Sequence, residues 1–144
     1  MKKFLVIIMV LFGVSAFSSN SYETDLVGRM KVLEEKAQVK LDSGVTAEMR
    51  EGIAELSEAW ENELNTVYSL LMEKLPKAEK VKLENEQKKW LKNRESQVQK
   101  AYDKYTKEEG PRMAGELAAS ERLSITKERA LELAKRYDKM NVKK

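Results

Sequence analysis

The sequence predicts an all-α protein: an antiparallel helical bundle of about four helices behind an N-terminal signal peptide. Three observations lead there. Apolar residues recur every three or four positions along most of residues 22–140, which is the period of one helical face. Breakers are few, with 6 Gly and 2 Pro in 144 residues, while Glu, Lys, Leu and Ala abound. There is no Cys, so packing alone must hold an exported domain together, and a bundle with a long apolar seam does this.

Residues 1–18 have their own grammar. Lys2 and Lys3 form a basic start, Phe4 to Val14 is almost continuously apolar, and Ser15 to Ser19 is small and polar apart from Phe17. That is the layout of a secretory signal peptide, with cleavage expected after Ala16 or after Ser18. The apolar run is shorter than the roughly 20 residues of a spanning helix. No membrane span is therefore expected after signal removal, and a periplasmic or secreted location follows. Losing Lys2 and Lys3 takes the 27 basic residues to 25, against 24 acidic.

The first helix is expected over 22–44, with Leu26, Met30, Leu33, Ala37 and Leu41 on one face and Gly44 as its C-terminal cap. Thr46 reads as the N-cap of a second helix, with Glu48 in the first turn where a negative charge suits the helix dipole. The stripe Met49, Ile53, Leu56, Trp60, Leu64, Val67 and Leu71 runs to about Lys74, because Pro76 disfavours helical geometry at Leu75. Pro76 can open a third helix. Its stripe is Leu83, Gln87, Trp90, Arg94, Val98, Ala101 and Tyr105, and it should end by Gly110-Pro111. A fourth helical region covers 112–140, with Leu117, Leu123, Ala130, Leu133 and Tyr137 inward and a break expected near Ser124, where Thr126 could cap a new turn.

Charge is segregated. Residues 48–63 hold six Glu and one Arg, whereas residues 74–107 hold eleven Lys or Arg and five Asp or Glu. Helices two and three are expected side by side as an acidic and a basic partner. The overall balance of +3 leaves no footprint for nucleic acid. With no His and no Cys, the commonest zinc ligands, the commonest general base and the thiol nucleophile are missing. No catalytic residue, metal ligand or cofactor is assigned.

Two polar residues, Gln87 and Arg94, sit two turns apart on the face that carries Trp90. A partly buried guanidinium needs a carboxylate or several carbonyls, or its burial costs several kcal/mol. Glu61 or Glu63 is the natural candidate. Asn65, Gln87 and the Tyr68 hydroxyl could complete a clasp of Glu63, Asn65, Tyr68, Gln87, Trp90 and Arg94 that fixes helix register. A hydrolytic role for Glu61 and Glu63 would need a pocket and a nucleophile–base pair that the sequence does not supply.

These residues also carry a resemblance. Glu63-Leu64-Asn65-Thr66-Val67-Tyr68 matches an ELN-x-VY element, Gln87-Lys88-Lys89-Trp90-Leu91-Lys92-Asn93-Arg94 matches a Q-x-x-W-(aliphatic)-x-x-R element, and Thr126, Arg129, Glu132 and Leu133 match a late T-x-x-R-x-x-E-L element. Over residues 46–137 the chain resembles the lysozyme inhibitor LprI-like family of exported bacterial proteins. The resemblance implies a small helical domain outside the cytoplasm, and cysteines near Gly52, Val98 and Ser120 that this chain lacks. It implies a protein partner, lysozyme or an envelope protein. The expected partner face is the acidic stripe Glu48, Glu51, Glu55, Glu58 and Glu61, which would attract a basic lysozyme. The alternative is an envelope interaction module whose apolar groove takes a partner helix.

Overall fold

Capping chemistry marks where the helices begin and end. The computed structural model describes residues 21–142, so the expected signal peptide lies outside the described residues. The chain forms α1 (Tyr22–Leu41), α2 (Thr46–Lys74), α3 (Lys77–Glu109) and α4 (Pro111–Val142), with no strand among the described residues. Ser21 caps α1, its side chain accepting from the Thr24 amide. The next two orphan amides, of Tyr22 and Glu23, donate to the Asp138 carboxylate at 2.7 and 3.0 Å. That contact ties the start of α1 to the end of α4 and sets a negative charge against the α1 dipole.

α2 begins differently from expectation. Val45 holds the N-cap position without a side-chain bond, and Thr46 is already helical. Pro76 sits at the N-cap of α3 with extended geometry. Gly110, with φ 85°, turns the chain between α3 and α4. Only glycine takes that conformation without strain, and Pro111 then starts α4, where its missing N–H costs nothing.

The four helices alternate in direction. Arg29 pairs with Glu63 and Lys40 with Glu55, which makes α1 and α2 antiparallel. Arg50 reaches Glu116 and Lys74 reaches Asn141, which makes α2 and α4 parallel. Glu95 meets Arg122 and Glu86 meets Arg136, which makes α3 antiparallel to α4. α4 packs against all three other helices and lies between α2 and α3.

The core follows the α2 stripe. Trp60, Leu64, Val67 and Leu71 are buried with Leu26 and Met30 of α1, Leu83 of α3, and Ala130, Leu133 and Ala134 of α4. Each large side chain removed from water contributes about 1.5–3 kcal/mol. α4 offers mainly alanine to its neighbours: Ala114, Ala118, Ala130 and Ala134 are all buried. Small residues there let its backbone come close on several sides, so it can occupy the centre. On the other side of the bundle, α1 comes close to α2 at Gly52. A Cβ there would stand 3.3 Å from the Ala37 carbonyl oxygen and 3.3 Å from the Lys40 Cβ.

Three expectations are corrected. Helices α2 and α3 do not pack along their length as an acidic–basic pair, because α4 takes the place between them. α4 is continuous through Ser124, and Thr126 is a buried mid-helix residue whose hydroxyl bonds back to the Arg122 carbonyl at 2.8 Å. Leu33 is 43% exposed, because the buried line of α1 runs through Leu26, Met30 and Ala37, and Leu33 falls to its side.

Candidate functional site

The polar interior is built on Trp90. Its ring faces two guanidinium groups, with Arg94 Cζ 4.8 Å and Arg129 Cζ 5.9 Å from the ring centroid. Both arginines are almost fully buried, at 6% and 4% exposure. One comes from α3 and the other from α4, so the indole is shared across that interface. Cation–π attraction of this kind strengthens when water is excluded.

Each guanidinium has carboxylates at its rim. Arg94 Nη1 donates to Glu61 Oε2 of α2 at 2.7 Å and to the Thr126 hydroxyl at 2.9 Å, and its Nε reaches Glu95 at 3.4 Å. Arg129 Nε donates to the Gln87 side-chain oxygen at 3.1 Å, and its Nη1 meets Glu132 and Glu86, each at 2.8 Å. Arg129 Nη2 is buried without a hydrogen bond. The electron-rich face of Trp90 offsets part of that cost. The carboxylates remain half in water while the cations are inside, so the charges are compensated without burying both members of each pair.

Titration follows from this arrangement. Burial disfavours the charged form of Glu86, but Arg129 and Arg136 outweigh it and hold the carboxyl below its ordinary value. The hydrogen bond from Arg122, aided by Arg94, lowers Glu95 against the opposing effect of burial. A carboxylate with a depressed folded-state pKa stabilises the fold fully above its unfolded value of about 4.3, and the stabilisation is lost as pH falls through the depressed folded value. The melting temperature is therefore expected to hold on acidification to about pH 5 and then to fall. In Glu86→Gln the drop should be shallower. A profile for that variant parallel to the native one would remove Glu86 from the account.

The expected clasp is thus partly assembled and partly redrawn. Glu61, Gln87, Trp90 and Arg94 come together. Glu63 does not join them: it lies on the α1 side of α2, where Arg29 grips both of its oxygens at 2.9 and 2.8 Å. Asn65 is exposed. It lies with Tyr68, Glu61, Glu84, Gln87, Lys88 and Leu91 along an open groove of about 410 Å³ between α2 and α3. Tyr68 packs against the core while forming part of that wall. Thr126 and Arg129 of α4 complete the cluster, together with Glu86, Glu95, Arg122 and Arg136, which sequence reasoning did not assign to it. The signal for two of them was present, since Thr126 and Arg129 stand in the late element already matched.

The acidic stripe is also divided. Glu48, Glu51, Glu55 and Glu58 are exposed on the outside of α2. Lys40 of α1 bonds Glu55 at 2.8 Å and meets Glu51 at 3.3 Å, and that contact lowers the Glu55 pKa. Glu61 turns inward to Arg94 and leaves the outer face. Among the described residues, no group of acidic side chains could hold a metal ion, and no helix is long and apolar enough to cross a membrane.

A four-helix domain with its polar interior closed by two buried arginines on one indole belongs to the class of small helical-bundle proteins stabilised by packing and ion pairs in place of disulfides. Within that class the family is definite. The family model described as lysozyme inhibitor LprI matches residues 37–133, and the chain belongs to that family. The match begins inside α1 and takes in all of α2 and α3 and most of α4. No curated protein and no solved structure matches the chain.

Proposed function

We propose that the protein is an exported, non-enzymatic binding protein of the lysozyme-inhibitor type. The observation that carries this reading is the family match across residues 37–133. The outer face of α2 supports it. Glu48 and Glu58 are exposed, with no ion-pair partner among the described residues, and Glu51 and Glu55 share a single lysine. A negative face of this kind steers a basic enzyme into encounter, and salt weakens the effect. The buried cluster around Trp90 acts as the frame that sets the tilt of α2, and it makes no contact with the partner.

The test is muramidase activity titrated with the protein at low and at moderate salt. Inhibition is expected at low salt and should weaken as salt rises. The double variant Glu48→Lys/Glu58→Lys should inhibit about tenfold less, since it reverses charge where partners meet. Activity unchanged at both salts would overturn the reading.

A second reading, as a cell-envelope interaction module, is favoured by one feature. A cleft of about 340 Å³ opens between α2 and α4, with Ile53, Ala54, Gly115 and Ala119 in its wall and Arg50 and Arg112 at its edge. An apolar cleft suits the greasy face of a partner helix. Binding there would be insensitive to salt, which separates it from the first reading.

A further inference from the structure

We propose that the outward face of α3 is a docking surface for an anionic lipid bilayer. Lys89, Lys92, Lys100, Lys104 and Lys107 are all exposed. At 100° per residue they fall on about one third of the helix circumference. Lys82 and Lys88 are taken up by Glu79 and Glu84, whereas these five make no ion pair among the described residues. Acidic side chains are sparse on this arc. Asp103 lies within it and accepts from Gln99, and Glu86, at its edge, is turned to Arg129 and Arg136 of α4.

The shape of the surface decides the occupant. α3 packs against α4 through Leu83, Arg94 and the Trp90 cluster, which leaves the opposite side without a neighbour. From Lys89 to Lys107 the stripe runs about 27 Å along a single helix. It is convex and has no groove, so it fits a plane of charges and gives a flexible polyanion nothing to lie in. The lysines reach headgroups on long stems, and no large apolar side chain stands among them to insert. Attachment is therefore electrostatic and reversible, each lysine strengthening it about fivefold at low salt. The acidic face of α2 lies elsewhere on the bundle. Docking by α3 would leave that face open to a cationic partner, so the two contacts are independent.

The experiment is co-sedimentation of the full chain, recovered from the exported fraction, with phosphatidylglycerol-rich vesicles. Vesicles of phosphatidylcholine alone report any attachment that does not depend on headgroup charge. The expected result is binding to the anionic vesicles only, lost at about 1 M salt, where the screening length falls to about 3 Å. The triple variant Lys89→Gln/Lys92→Gln/Lys100→Gln should bind on the order of 100-fold more weakly. Lys31→Gln/Lys36→Gln on α1 should bind as the native chain does, and the helical circular dichroism of both variants should be unchanged. Three outcomes would each overturn the proposal: no binding to anionic vesicles at low salt, equal binding by the triple variant, or transfer of the protein from vesicles to a soluble polyphosphate at equal phosphate concentration.

Discussion

Trp60→Ala is expected to cost about 3–5 kcal/mol, the range for emptying a buried indole site. Trp60 is 1% exposed and stands in the middle of the core cluster, between residues of α1, α2 and α4. Its Nε1 donates to Glu34 at 3.2 Å, and Lys127 lies 5.2 Å above its ring and bonds the same Glu34 at 2.6 Å. Removing the ring therefore opens a cavity and also releases an ion pair that spans α1 and α4. Domains of this size are stable by about 5–15 kcal/mol in total, so the loss is about a fifth of that or more. Trp60→Phe keeps most of the volume and should cost clearly less. Urea denaturation followed by circular dichroism would measure both. A midpoint for Trp60→Ala within error of the native one would mean that the core does not depend on this ring.

The α2 stripe was legible because it is regular and its residues are large. Ile53, Leu56, Trp60, Leu64, Val67 and Leu71 recur at three and four, and all are buried. α4 was not legible in the same way. Its buried positions are largely alanines, which carry little hydrophobic contrast, so periodicity did not reveal that this helix is the central one. The missing α2–α3 pairing has the same origin: two strong opposite-charge patterns suggested direct contact, whereas the quiet helix fills the space. Local signals also competed with tertiary ones at Thr126. A threonine after Ser-Ile reads as a cap, yet here the continuing helix and the Arg94 guanidinium use its hydroxyl. Arg94 itself was legible, because a cation on an apolar stripe demands an acid, and Glu61 was one of two within reach. Choosing between Glu61 and Glu63 needed the position of α1, whose Arg29 claims Glu63. The resemblance implies a cysteine near Gly52. In this chain the glycine instead lets the α1 backbone come close.

Arg94→Ala is expected to cost about 2–4 kcal/mol, while Arg94→Met should cost about 1 kcal/mol or less. The two differ in what they leave behind. Alanine removes the whole buried side chain, whose guanidinium lies over Trp90, and opens a void beside the ring. Methionine fills that space and leaves Glu61, which is 39% exposed on its side chain, free to hydrate. A partly exposed ion pair adds only about 0–1 kcal/mol by itself, so most of the alanine penalty comes from packing. Glu61→Ala approaches the cluster from the other side. It strands a guanidinium that is only 7% exposed with Thr126 and a distant Glu95 as its acceptors, and should cost about 1–2 kcal/mol. In the Arg94→Met background the same change should cost almost nothing, because no buried cation is left to strand. Urea midpoints for the four proteins close this double-mutant cycle. If Arg94→Met proved as damaging as Arg94→Ala, the charge rather than the packed stem would be what α3 and α4 share, and the cluster would have to be read as an electrostatic lock.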